Sequence, residues 1–392
     1  MYSQQLTDLL AELIRVPSVN PDHQPAPGQG GERRMAETLS TLLQARGFDV
    51  QWLEAHGIDR PAIVATAGPE NAVRSLMFEV HLDTVGVAHM TRPPFEGCVE
   101  GGRVYGRGAC DMKGATAALL HVLDADRVRR VTEAGVRLMV VGAPDEECGT
   151  KGATTLAGLG IRADHAVVLE PTRCRVVTAH KGANWYDIAL RGRSGHGSQP
   201  ESGVSTLEAL ARLLPEILRA HKALRDMYVH PLLGRATLNI GHIEGGRTYN
   251  IIPDHALIQI DRRVLPEEKP EFFEQAVRHI LDELIREGRL LHGACTRVQQ
   301  NPAFATDPQA TLPSALLDAI EFVTNERPAC EGTSWMSDAA PFSRVCGQTV
   351  VFGPGDIAQA HTADEYIEIE QLERGAAIFA RFLDQYPATL PK

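Results

Sequence analysis

Five short stretches of the chain, three of them at the end of an apolar run, present residues that bind metals or carry protons. In HLDTV, His81 and Asp83 stand two positions apart, so on a strand both side chains leave the same face. A carboxylate beside a metal-ligating imidazole fixes the tautomer of the ring and makes it a better donor. Alone, the pair reads equally well as a polar strand end facing water. GRGACDMKG (106–114) crowds small residues around one acid, Asp111, the composition of a tight backbone path that delivers a side chain to a fixed point. Its spacing fits neither GxGxxG nor GxxxxGKS/T, which argues against a phosphate loop. After Pro144 come Asp145, Glu146 and Glu147. Three adjacent acids repel one another unless a cation neutralises them. Neighbouring residues point in different directions, so one carboxylate can bind a metal while another faces a substrate as general base. In isolation the same three acids are a solvated loop. Glu170 closes another apolar run before Pro171, and His361 follows a Gly-Pro-Gly turn. Together, two histidines and three acids make a mixed nitrogen and oxygen set that suits zinc, with cobalt and manganese as alternatives. Three ligand carboxylates balance two divalent ions once a hydroxide is added, whereas one ion would leave a negative cleft uncompensated.

The elements that must hold these residues alternate between helix and strand. Helical periodicity covers 3–15 and 32–46, and a short strand ends at Ile63-Val64. SLMFEVHLDTV (75–85), GVRLMVVGAPDEE (135–147) and ADHAVVLEPT (163–172) read as buried strands with ionisable groups at their C-terminal ends. Open α/β sheets bind ligands there, because side chains past the last paired residue face a crevice. Near residue 178 the pattern changes to an alternating strand, a helix over about 205–222, the strands ATLNIGHIEGG and DHALIQIDRRV, and the helix EFFEQAVRHILDELIREG. This β-α-β-β-α order predicts an α+β unit inserted into the first domain. Helix 313–325 and the buried strand QTVVFGP (348–354) then return to the first sheet. The expected architecture is an α/β domain of residues 1–178 and 296–392, interrupted by an α+β domain of residues 179–295.

At 392 residues the chain is longer than most single cores grow. No apolar run approaches the roughly 18 residues of a spanning helix. A net charge of −11 without a Lys/Arg stripe argues against nucleic acid. Seven cysteines without CxxC spacing read as reduced thiols. The N-terminal segment lacks the basic start and cleavage site of a signal peptide, so a cytoplasmic protein is expected.

HLDTV, GRGACDMKG, PDEE, LEPT and GPG with AHTADEY, in this order, resemble the dinuclear zinc amidohydrolases and peptidases. That family includes acetylornithine deacetylase, succinyl-diaminopimelate desuccinylase, aminoacylase and glutamate carboxypeptidase, and the resemblance spans essentially the whole chain. It implies a zinc-hydrolase sheet with flanking helices and an inserted lid and dimerisation domain. It implies further that Asp111 bridges two divalent ions, Zn2+ or Co2+, that His81 and Glu170 complete one site, and that Glu147 and His361 complete the other. Glu146 would be the general base and acid, Asp83 would support His81, and the Asp111-Met112 peptide would be cis. In GRSGHGSQP, His196 resembles the lid histidine that reaches a partner subunit's cleft, which implies a homodimer. Asn250 and Arg263 match substrate contacts; Arg263 could grip a carboxylate, or form an ordinary strand-face ion pair. AHKG, SGHGSQPESGVSTLEAL, SDAAPF and VVFGPGDIAQAHTADEYIE most resemble the acetylornithine deacetylase branch, and Glu170 agrees, since peptidase branches usually carry Asp there. EGTSWMSDAA departs from that branch, with Asp338 one methylene shorter than the glutamate of its Thr-Glu-Ala form. The implied reaction is hydrolysis of the amide of a small N-acyl amino acid. A metal- or amino-acid-binding protein that keeps the fold is the rival reading from another class.

Overall fold

The computed structural model describes residues 2–55 and 59–389. Its main sheet contains β1 (Asp49–Glu54), β2 (Pro61–Ala67), β3 (Arg74–His81), β6 (Val136–Ala143), β7 (His165–Val168), β8 (Val177–His180), β13 (Phe304–Ala305), β14 (Glu331–Thr333) and β15 (Gln348–Val351). The order is β1-β2-β6-β3-β7-β15-β8-β13, with β14 beside β8. Strands β6, β3, β7 and β15 run parallel. Parallel strands are covered on both faces, which is why β3 and β6 are nearly continuous apolar runs in the sequence.

Alternation within those runs sorts the two cores. Leu76, Phe78 and Val80 of β3, with Leu138 and Val140 of β6, face the larger one. There they meet α1 (Tyr2–Ile14), α2 (Glu32–Gln44), α3 (Lys113–Val122), α4 (Ala125–Glu133), α8 (Thr311–Thr324) and α10 (Ile369–Gln385). Phe78 packs edge-on against Phe379 and Phe382 of α10, with ring centroids 6.0 and 6.4 Å apart. Truncating such a buried Phe to Ala costs about 3–5 kcal/mol. Met77, Met139 and Val141 face a smaller core under α5 (Lys151–Gly158) and α9 (Ala339–Ser343). Glu79 and His81 share the parity of Met77, so the strand delivers both to that second face. A three-stranded sheet of β4 (Cys98–Glu100), β5 (Arg103–Tyr105) and β16 (Tyr366–Glu368) completes this part.

The chain divides into two compact units, residues 1–179, 305–332 and 337–392, and residues 180–304 with 333–336. The second unit is a four-stranded antiparallel sheet in the order β10-β11-β9-β12, built from β9 (Gly182–Arg191), β10 (Thr237–Gly245), β11 (His255–Val264) and β12 (His292–Asn301). Helices α6 (Thr206–Met227) and α7 (Glu271–Arg286) cover one face. Ala209, Leu213 and Ile217 of α6, and Phe273, Val277 and Leu281 of α7, recur at four-residue spacing and form its core. The sequence boundary at 295 cuts β12, which pairs with β9 from His292 to Asn301. Its residues are mostly polar because it is an edge strand with Cys295 as its one member of the core.

Candidate metal centre

Register brings the ionisable strand ends together. His81, the last residue of β3, is opposite Ala143, the last of β6, and Glu79 is opposite Val168 of β7. The turn Pro144–Glu147 and the segment Leu169-Glu170 therefore leave the sheet beside His81. His361 follows the Gly-Pro-Gly turn beyond β15 and holds a positive φ of 62°. Asp111 comes from the loop two residues ahead of α3, and the Asp111-Met112 peptide is cis. Its loop is tight. A Cβ on Gly114 would lie 2.5 Å from the Ala109 carbonyl oxygen, so the first turn of α3 accepts only glycine there.

Nδ1 of His81 lies 3.0 Å from the backbone oxygen of Asp83, so an Nδ1–H donates there and Nε2 faces Asp111 Oδ1 at 3.0 Å. The Asp83 carboxylate is farther from the ring, at 3.7 Å. It accepts instead the backbone N–H of Glu146 and of Glu147, both at 3.1 Å, and the Asn20 amide at 2.7 Å. Thus Asp83 braces the acidic turn, while its own carbonyl orients the imidazole. Asp145 is turned out of the cleft at φ 72°. Its carboxylate takes Arg60 Nη2 at 2.5 Å, and its N–H donates to Glu32 at 3.0 Å. Arg60 also donates to Glu32 at 2.5 and 2.9 Å. Among the three consecutive acids, the cation that neutralises Asp145 is therefore a guanidinium.

Glu146, Glu147, Glu170 and Asp111 remain around His81 and His361. One ligand atom each from His81, Glu146 and Glu170 lies within 4.8 Å of the others, and His81, Asp111 and Glu147 form a second such group. His361 Nε2 adds contacts of 3.0 Å to Glu147 Oε2 and 3.4 Å to Asp111 Oδ2. Burial raises Glu146 well above the usual carboxylate range, opposed by His81 and reinforced by Glu147, Asp338 and Asp111. Burial, with Asp111 and Glu146 nearby, does the same to Glu170. Glu147 is pushed up to about 7 by burial and Asp111. Hydrogen bonds to Asp111 and Glu147 raise His361 to about 10. Asp111 goes the other way: burial opposes its ionisation, but His361 and His81 hold it below the usual range. Glu147 Oε1 is buried without a donor. An orphaned carboxylate oxygen among crowded acids fits a divalent cation, which supplies the missing charge and coordination.

A family model described as peptidase family M20/M25/M40 matches residues 77–385. The chain belongs to that family. It is 33% identical over 352 residues, 86% of this chain and 88% of the relative, to an acetylornithine deacetylase of Myxococcus xanthus. Aminopeptidase PepT of Bacillus cereus superposes with a TM-score of 0.79 at 20% identity, covering 98% of each chain. A dinuclear metal-binding M20-family peptidase of Bacillus subtilis superposes at 0.70 with 15% identity over 99% of each chain. The protein is a metal-dependent hydrolase of amide bonds in the M20 family.

In this M20 chain His81, Asp83, Asp111, Glu146, Glu147, Glu170 and His361 converge in the first unit. His196, Asn250 and Arg263 belong to the second. There the exposed His196 bridges to Ile251, its Nδ1 lies 2.8 Å from Ser198 Oγ, and the next N–H, of Gly197, donates to Asn250 O at 2.9 Å. Arg263 pairs with Asp261, two residues back on β11, at 3.2 Å. Asp338 is fully buried, and burial raises its carboxyl to about 7. It lies against Glu79, whose carboxyl is raised well above the usual range by burial and by Asp338. Asn20, Glu32 and Arg60 were not legible as site residues.

Proposed function

We propose that the protein removes the acyl group from the amino nitrogen of a small amino acid, with N-acetyl-L-ornithine as the favoured substrate and L-ornithine and acetate as products. The observation that carries this reading is Glu146, a buried carboxyl converging with His81 and Glu170 in a chain whose curated relative is an acetylornithine deacetylase. His81, Glu170 and Asp111 would hold one ion, and Glu147, His361 and Asp111 the other. Zinc is favoured and cobalt is the alternative, from the nitrogen and oxygen donor set. Bound ions polarise the amide carbonyl and acidify water.

The chain's own residues do the rest. Burial raises the Glu146 carboxyl well above the usual carboxylate range and neighbouring positive charge opposes that rise, the setting of a group that takes and returns a proton. Glu146 then takes a proton from the attacking water and gives it to the leaving nitrogen. Asp83 and Asn20 hold the turn that aims it. His196 would stabilise the developing oxyanion and Asn250 and Arg263 would bind substrate. A homodimer is proposed for this chemistry, and the exposed edge strand β10 offers a surface for it. A cytoplasmic location and a role in arginine biosynthesis are part of the same proposal; no described helix is long and apolar enough to cross a membrane.

Purified protein assayed with acetylornithine, succinyl-diaminopimelate, acetylmethionine and a dipeptide is expected to give its highest kcat/KM on acetylornithine. A preference for the second or third moves the assignment within the deacylases. Failure on every acyl amino acid sinks it.

A further inference from the structure

Arg107 and Glu365 are ligands in neither group and take no part in the proton transfers above. Glu365 is fully buried. Its Oε1 accepts the backbone N–H of Cys110 at 2.9 Å and of Asp111 at 3.0 Å. Its Oε2 accepts the N–H of Gly108 at 3.2 Å and Arg107 Nη1 at 2.6 Å. One carboxylate thus gathers the loop that presents Asp111. Arg107, also buried, spends its other nitrogens on the Gly86 oxygen, at 2.9 and 3.2 Å, and the Thr362 oxygen at 3.5 Å. Gly86 lies in the loop that begins with His81 and Asp83, and Thr362 follows His361. A single ion pair therefore ties together the three loops that carry His81, Asp111 and His361.

The small sheet fixes the register of this tie. Tyr366 pairs with Tyr105, and Gly106 N–H donates to Glu365 O at 3.1 Å. Arg92 lies over the Tyr105 ring and Arg103 over the Tyr366 ring, each 4.1 Å from the centroid, and the two tyrosine rings meet tilted by 51° with centroids 5.5 Å apart. A buried ion pair contributes little net stability over apolar residues of similar volume, because desolvation offsets the attraction. What an apolar pair cannot do is accept three amides and donate to two carbonyls of separate loops.

We propose that Arg107–Glu365 is a positioning pair that sets Asp111 against His81 and His361, so that the ligands of the metal centre are arranged before an ion arrives. This rests on the metal-centre reading above. A glutamine at 365 keeps one acceptor oxygen and presents an NH2 to the remaining donors, so the loop loses part of its hold.

The test titrates metal-free protein with Co2+ alone, reading affinity and coordination geometry from visible absorption, with thermal midpoints recorded in parallel. Glu365→Gln and Arg107→Lys are each expected to bind about 10- to 100-fold more weakly with an altered spectrum, as outer partners of metal ligands do. Tyr386→Phe, which removes a 2.8 Å contact to His165 in the same unit, controls for lost stability. It is expected to lower the midpoint and leave Co2+ affinity unchanged. If Glu365→Gln does not fold, Arg107→Lys decides. Unchanged affinity in the variants overturns the positioning role, and so does an equal loss in Tyr386→Phe. If the wild type itself takes up no ion, the metal-centre reading fails and the proposal falls with it.

Discussion

Two carboxylates at the centre differ in what they touch, and that difference separates their mutants. Glu146 converges on His81 and Glu170 without being the residue that pairs with His361, a contact made by Glu147. Glu146→Gln is therefore expected to retain bound metal and lose about 10²–10⁴-fold in kcat, measured on protein whose metal content is checked alongside. Retained turnover with full metal would remove Glu146 as the base. Asp83 accepts three N–H donors, two from the backbone of the acidic turn. Asp83→Asn turns one acceptor into a donor facing donors, so metal affinity and kcat should both fall, by about 10- to 100-fold. His81, Asp111, Glu147, Glu170 and His361 were legible in sequence because each ends an apolar run or a glycine-rich turn. Asn20 and Arg60 were not, since their partners lie 63 and 85 residues away and an Asn or Arg in a loop carries no local signal.

At the level of elements, the sheet was legible where burial made continuous apolar runs, and illegible at its polar edges, as the cut through β12 shows. Glycine fixes geometry that pattern alone does not reveal. A Cβ on Gly152, in the first turn of α5, would stand 2.1 Å from the Pro144 oxygen, and Pro144 leads into Glu146. Gly152→Ala must push that turn, so both the thermal midpoint and kcat should drop; an unchanged kcat would mean that α5 gives way and the turn does not. His165, which opens β7, shows how an element couples to pH. Burial, then Arg74, lowers its imidazole to about 4, and the Tyr386 hydroxyl lies 2.8 Å from Nδ1. A histidine depressed below its unfolded value of about 6.5 contributes stability that is present above that value and lost as pH falls towards 4. Chemical denaturation of His165→Gln at pH 7 and 5 should therefore show a smaller acid loss than the wild type, by up to about 1.4 kcal/mol per pH unit. Equal losses would show that His165 does not titrate with unfolding.

Across the whole molecule, the acids and histidines of the metal centre all belong to one compact unit, while the other has its own core of α6, α7 and a four-stranded sheet. A ligand that binds only the folded form stabilises the unit that holds it, by RT ln(1 + [L]/Kd). Chelation should therefore lower the unfolding temperature of the first unit and leave that of the second in place, splitting one calorimetric profile into two. The size of the shift should depend on pH. In the metal-free fold Glu147 is raised to about 7 and His361 to about 10. Both bind protons that the unfolded chain has released, so their contribution is present below the unfolded values and is lost as pH rises through about 7 and about 10. A divalent ion must displace those same protons, and it competes better as they become scarce. The metal-induced rise in the first transition should accordingly be larger at pH 8 than at pH 6. An increment that does not change between the two would mean that Glu147 and His361 give up no proton to the ion. Two transitions that move together would mean that the second unit draws its stability from the same centre.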